Sequence, residues 1–109
     1  MDSDYISPDS QEPGMDVFLL TKPQKADRTK LCLQLMARSE NAALYLAGDG
    51  VYNLLDESLE AIAKGRIFAC REDLLARGVQ PKVTASILND FYEILVVDMM
   101  ENKTRIFAF

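Results

Sequence analysis

The spacing of three short apolar runs constrains this chain more than any other feature. Val17-Phe18-Leu19-Leu20, Ala42–Leu46 and Arg66–Ala69 begin near residues 17, 42 and 66, which are 25 and 24 residues apart. Each run has the length of a strand, and each interval holds room for a helix. A hairpin needs only a few connecting residues, whereas a parallel pair needs a crossover of roughly a dozen or more. The spacing therefore predicts successive βαβ units, hence an α/β fold with a doubly wound sheet and helices on both faces. Val83–Leu88 and Thr104–Phe109 read as a fourth and a fifth strand.

The intervals carry helical patterns. Leu31, Leu35 and Met36 share one helical face, with Lys25, Arg28 and Arg38 outside it, and either Asp27 or Thr21 is placed to cap that helix. Asp49 reads as the cap of a second helix with Val51, Leu54, Leu55, Ser58, Leu59 and Ile62 in register, Ser58 the one mild interruption, stopped at Gly65. Arg71–Arg77 is a short helix closed by Gly78. Asp90 then opens a last helix with Phe91, Ile94, Leu95 and Met99 inward.

Charge divides the chain in two. Residues 1–14 hold four acids (Asp2, Asp4, Asp9, Glu12), two prolines and no base, the composition of a disordered acidic tail. Removing them takes the net charge from −5 to −1, 12 bases against 13 acids, over a domain expected at residues 15–109. Such a body, without a basic block, is not expected to bind nucleic acid directly. The longest uncharged run, Asn41–Gly48, is eight residues, far short of the roughly 20 that span a bilayer. No basic-plus-apolar leader opens the chain, so a cytoplasmic protein without a membrane segment is expected.

The residue inventory removes much ordinary enzymology. There is no His, which excludes His general bases, Ser-His-Asp triads and His-ligated zinc. The two cysteines, Cys32 and Cys70, form no CxxC pair, so neither a metal site nor another cofactor site is expected. Gly48-Asp49-Gly50 lacks the further glycine of a dinucleotide loop and the Gly-Lys-Ser/Thr of a P-loop. Thr21-Lys22 and Cys70 stand where a phosphoacceptor receiver domain would need acids.

Cys70 is the most informative residue left. In an open parallel sheet, reactive groups gather at the carboxyl ends of strands, and Cys70 falls at the end of the third. It precedes a helix, where unpaired N–H groups and Arg71 favour negative charge, while Glu72 and Asp73 oppose it. A thiolate there is placed to hold sulfane sulfur as a persulfide. The competing reading is a small buried hydrophobe. Cys32, among Leu31, Leu33 and Leu35, reads first as core filler and second as another candidate thiol.

Several motifs, in order, resemble one family. Asp73-Leu74-Leu75-Ala76-Arg77-Gly78 is similar to the D-L-x-A-R-G segment of the TusB/DsrH proteins of the sulfur-relay (DsrE/F/H-like) superfamily. Met15 with Pro23 eight residues later, the Asp49-Gly50 pair, Asp90-Phe91 and the terminal Phe107-Ala108-Phe109 each resemble that family's corresponding features. The resemblance covers residues 15–109. It implies a compact three-layer α/β/α domain with a mostly parallel five-stranded sheet, DsrE/F/H-like. It also implies an oligomer with TusC/TusD-like (DsrF/DsrE-like) subunits and a TusE-like acceptor, carrying sulfur toward tRNA wobble-uridine 2-thiolation or a related pathway. Cys70 departs from TusB/DsrH and instead resembles the active cysteine of the DsrE/TusD subunits, eight residues before a helix-ending Gly, here Gly78. Phe109 stands where the family has Trp.

Two expectations follow. In one, the chain is a sulfur-carrying subunit with Cys70 as persulfide carrier, Cys32 as the secondary candidate, and Asp49, Gly50 and Arg71 shaping the site. In the other, it is a non-catalytic assembly subunit, or an unrelated small α/β regulator or ligand-binding protein. In either case thiol exchange asks for little beyond a thiolate and access, so the missing His is no obstacle.

Overall fold

Val17, Phe18 and Leu20 belong to β1 (Met15–Leu20), and all three are closed off from solvent, as the apolar run requires. A computed structural model describes residues 14–63, 66–101 and 103–109. The expected acidic tail of residues 1–14, Gly14 excepted, and the expected helix stop at Gly65 lie outside the described residues. After β1 come α1 (Asp27–Ala37), β2 (Ala42–Leu46), a 3-10 helix (Gly48–Leu55), α2 (Leu59–Ala63) and β3 (Ile67–Cys70). Then follow α3 (Arg71–Arg77), β4 (Ser86–Leu88), α4 (Phe91–Met99) and β5 (Thr104–Ala108).

The sheet has the order β4-β3-β2-β1-β5, and every neighbouring pair is parallel. The α/β expectation is met, with a sheet that is parallel throughout. Three crossovers run one way, from β1 to β4, and the fourth returns past β1 to β5. With right-handed crossovers, the first three connections must lie on one face and the last on the other. The packing agrees. One cluster joins Phe18, Leu20, Leu44, Leu46 and Ile67 of the sheet to α1, the 3-10 helix, α2 and α3. The other joins Val17, Ala43, Tyr45 and Cys70 to Phe91 and Leu95 of α4, with Ile94 of the same helix packed against them. The domain has a thick face and a thin one.

The second connection differs from the single long helix expected. It is a 3-10 helix broken from α2 at Asp56, whose backbone is extended (φ −94°, ψ 107°). Asp56 Oδ1 accepts from the Ser58 backbone N–H at 3.0 Å and from its hydroxyl at 2.7 Å, a local turn that competes with helix continuation. Gly50 explains the tight first turn: a Cβ there would lie 2.0 Å from the Leu20 carbonyl oxygen, so only glycine lets the turn press against the end of β1.

Other expectations shift by a residue or two. In α1 the inward residues are Thr29, Cys32 and Met36, while Leu31 is 47% exposed. Neither Asp27 nor Thr21 caps α1. Its N-cap is Ala26, and the Thr21 hydroxyl donates to the Phe109 carbonyl at 2.8 Å. The third strand starts at Ile67, and the fourth shortens to Ser86–Leu88 because the preceding segment is held to the thick-face layer. There, Lys82 N–H donates to Leu54 O at 2.8 Å and Thr84 N–H to Glu60 Oε2 at 2.6 Å. Asp90 occupies the N-cap of α4 without a side-chain cap bond, and Met99 points outward rather than in.

Candidate functional site

The carboxyl edge of the sheet is where β1, β2 and β3 deliver the loops at Thr21, Gly48 and Cys70. Two sequence motifs meet there. Asp73 Oδ2 accepts the Gly48 N–H at 2.8 Å, so the first turn of the 3-10 helix is capped by a side chain 25 residues away. Asp49 does not cap it; its Oδ1 accepts from Arg77 Nε at 2.9 Å. Arg77 Nη1 also donates to the Asp73 carbonyl at 3.2 Å. Pairing with Asp49 and then Asp73 raises the Arg77 pKa further above its already high value. Gly78 ends α3 in the left-handed region (φ 63°), returning its N–H to Leu75 O and the Val79 N–H to Leu74 O. The Asp-Leu-Leu-Ala-Arg-Gly segment is therefore a clamp between α3 and the Gly48-Asp49-Gly50 turn.

Cys70 is the last residue of β3 and the N-cap of α3. Its side chain belongs to the thin-face cluster with Tyr45, Ala47, Phe91 and Leu95, and the residue is 6% exposed. It opens on a shallow cleft of about 150 Å³ lined also by Glu72, Asn89, Asp90, Phe91, Tyr92 and Glu93. Three of those lining residues are acids. Tyr92 feels the surroundings: its phenol pKa is pushed up first by burial, then by the negative charges of Asp73 and Glu72. Asp49 and Gly50 do not line the cleft; they hold the neighbouring turn. Arg71 follows Cys70 directly and is exposed.

Cys32 lies on the opposite side. It is fully enclosed among the thick-face residues, and burial alone pushes its thiol up to about 12. The strands of the sheet separate the two free thiols into different layers. Among the described residues no group of three or more Cys, Asp, Glu or His side chains could hold a metal ion.

A family model described as DsrH like protein matches residues 22–105, from the loop after β1 into β5. The chain belongs to the DsrH-like family. Membership makes it a sulfur-relay subunit in general terms, of a family whose members act with DsrE- and DsrF-like partners. No curated protein matches the chain. In this DsrH-like chain the matched segment contains both halves of the clamp and both cysteines. No helix among the described residues is long and apolar enough to cross a membrane.

What the sequence could not indicate was the thin-face neighbourhood of Cys70. Phe91, Tyr92 and Glu93 reach the cleft from α4, about 20 residues further along the chain, through the return crossover. The Asp90-Phe91 pair was visible, but only the strand order brings it beside β3.

Proposed function

We propose that this DsrH-like chain accepts sulfane sulfur on Cys70 and passes it on. The observation that carries the reading is the contrast in placement: of the two free thiols, Cys70 opens on a cleft at the carboxyl edge of the sheet, and Cys32 is sealed. The step needs no acid–base residue of the protein. The Cys70 thiolate attacks the outer sulfur of a donor persulfide, R–S–SH; the donor's S–S bond breaks and its inner sulfur leaves as a thiolate. Cys70 then holds the persulfide, and an acceptor thiolate removes the outer sulfur by the same displacement. The Asp73–Arg77 clamp contributes by fixing α3, and with it the end of β3, against the Gly48 turn. TusC/TusD-like subunits and a TusE-like acceptor are the matching donors and recipients, with tRNA wobble-uridine 2-thiolation or a related sulfur pathway as the destination.

Intact mass spectrometry after incubation with a small persulfide donor tests the reading. Wild type and Cys32→Ser should each gain about 32 Da, one sulfur atom, and Cys70→Ser should gain nothing. Absence of the adduct from wild type would establish the second reading, an assembly subunit with inert thiols. That alternative draws its support from the 6% exposure of Cys70 and the acids around its cleft.

A further inference from the structure

The amino edge of the sheet, at the other end of the strands from Cys70, holds a cleft of about 590 Å³. Asp16 of β1, Arg38 and Glu40 after α1, and Lys103, Thr104 and Arg105 around the start of β5 line it. Gly14, where the described chain begins, belongs to the same wall, and its carbonyl accepts from Asn41 Nδ2 at 3.4 Å. A Cβ at Gly14 would lie 2.6 Å from the Lys103 carbonyl oxygen, so glycine lets the chain enter hard against the start of β5. Asp16 is already matched by two bonds from Arg105 and one from the Ser39 hydroxyl. Arg38 and Lys103 then stand against Glu40, and among the described residues neither base is paired to a carboxylate. Arg66 lines the adjoining cleft and donates to Asn41 Oδ1 and toward the Met15 sulfur. Thr104 adds a hydroxyl: among the described residues its Oγ1 is the one buried side-chain nitrogen or oxygen without a hydrogen-bond partner. Unspent bases beside an unspent hydroxyl suit a carboxylate.

The chain itself names the occupant. Residues 1–14 carry Asp2, Asp4, Asp9 and Glu12 and no base, and they run directly into Gly14 on the cleft wall. At roughly 3.3 Å per extended residue, Glu12 lies within about 7 Å of Gly14 along the chain and Asp9 within about 17 Å. A single exposed contact between a carboxylate and a base is weak. A tether of a few residues offsets that weakness by holding the effective concentration of the acids near the millimolar range. We propose that the amino-edge cleft is a carboxylate site for the chain's own acidic segment, with Glu12 and Asp9 meeting Arg38 and Lys103 beside the Thr104 hydroxyl. Docking there ties the entry to β1 to edge strand β5, whose one neighbour in the sheet is β1. It also holds the acids at the far edge from the Cys70 cleft, which Glu72, Asp90 and Glu93 already line. The proposal stands apart from the sulfur-carrier reading and uses neither cysteine.

Phenylglyoxal, which modifies arginine, tests this on the full-length chain by peptide mass mapping at about 50 and 300 mM salt. At the lower salt Arg38 should react at least about threefold faster in Asp9→Asn/Glu12→Gln than in wild type, and the gap should close at the higher salt. Arg28, which donates to the Ala108 carbonyl at the carboxyl edge, should react alike in both chains. The chain has no Trp, so Tyr5→Trp places a single reporter in the acidic segment. Its fluorescence anisotropy should fall on Arg38→Glu and recover when Asp9→Lys/Glu12→Lys is added, a rescue by charge reversal that a purely structural role of Arg38 would not give. Lys30→Glu, toward the other end of α1, should leave the anisotropy unchanged. Equal Arg38 reactivity in the two chains at low salt overturns the proposal, and so does an anisotropy that neither salt nor Arg38→Glu alters. Failure of the charge reversal to restore the signal overturns it as well. An anisotropy that climbs with protein concentration would place the segment on a second copy and overturn the docking within one chain.

Discussion

The two faces of one sheet carry the two cysteines of this chain, and they treat them differently. The thick face stacks α1, the 3-10 helix, α2 and α3 over Phe18, Leu44 and Ile67, and encloses Cys32 completely. Among the described residues the thin face has α4 alone, packed through Phe91 and Leu95 and tied down where the Tyr45 hydroxyl donates to Asp98. There Cys70 lies at the margin of the cover and meets solvent through a cleft. The same element chemistry thus gives a thiol that packs and a thiol that is placed to react. The difference is set by how many crossovers return on each side of the sheet.

The largest effect that tests this contrast is on stability. Leu44→Ala should cost about 3–5 kcal/mol, because several helices fix the walls of the resulting cavity. Leu95→Ala should cost about 2–3 kcal/mol, since a single helix can settle toward the sheet and partly close its own cavity. Urea titration of both variants measures the difference. Equal costs would mean that the thin face is as rigidly supported as the thick one.

Thiol labelling sharpens the comparison kinetically. Cys32 can be reached only when the core opens, whereas Cys70 needs a local movement at the cleft. Alkylation of Cys70 in native buffer should run at least about 100-fold faster than that of Cys32, read by peptide mass mapping. Comparable rates at the two sites would remove the structural basis for assigning them different roles.

Much of this contrast was legible in the sequence, and its limits are physical. The strand spacing predicted the parallel sheet because a crossover demands a minimum length, and the sheet follows. The cleft was not legible, since Glu93 and Tyr92 come to Cys70 only through the order in which strands pair. Helical periodicity was misread at residues 51–62 because Asp56 and Ser58 form a local turn that an apolar register does not register. It slipped in α1 as well, where Thr29 takes an inward position and donates to the Pro23 carbonyl at 2.7 Å. Asp73 and Arg77 stood out as part of a motif; that they cap and pin the Gly48 turn depends on a contact between distant segments.

That clamp gives a smaller effect, graded by burial. Asp73→Ala leaves the Gly48 N–H without its charged acceptor and should cost about 1.5–2 kcal/mol. Asp49→Ala removes only an ion pair whose acid is 56% exposed and should cost about 0.5 kcal/mol or less. Thermal melts rank the two. If Asp49→Ala proved the costlier, the clamp would be organised by its surface pair and not by the distant cap. Cys70 labelling should quicken in Asp73→Ala and stay unchanged in Asp49→Ala, because only the first loosens α3.

The smallest effect lies at the opposite edge of the sheet, where β5 closes on β1. Asp16 accepts from Arg105 Nε at 2.8 Å and Nη2 at 3.0 Å, and from the Ser39 hydroxyl at 2.7 Å. On this side Phe107 stacks on Phe18 with ring centroids 5.0 Å apart, while Ile106 of the same strand stays open on the thin side. The Arg105 bonds come first in holding the Asp16 carboxyl below its ordinary value, outweighing the opposing effect of burial. A carboxyl lowered in the folded state contributes stability above the ordinary Asp value of about 3.9, and that contribution is lost as pH falls through it toward the lowered value. Wild type should therefore lose more stability than Asp16→Asn between about pH 5 and pH 2 in a urea series. Since Val97→Asp on the open side of α4 leaves the Asp16 bonds in place, its curve over that range should keep the wild-type contribution of this group. Parallel curves for wild type and Asp16→Asn would mean that the Arg105 contact does not persist in solution, and that β5 is held on its thick side by the packing of Phe107 and Phe109 on Phe18.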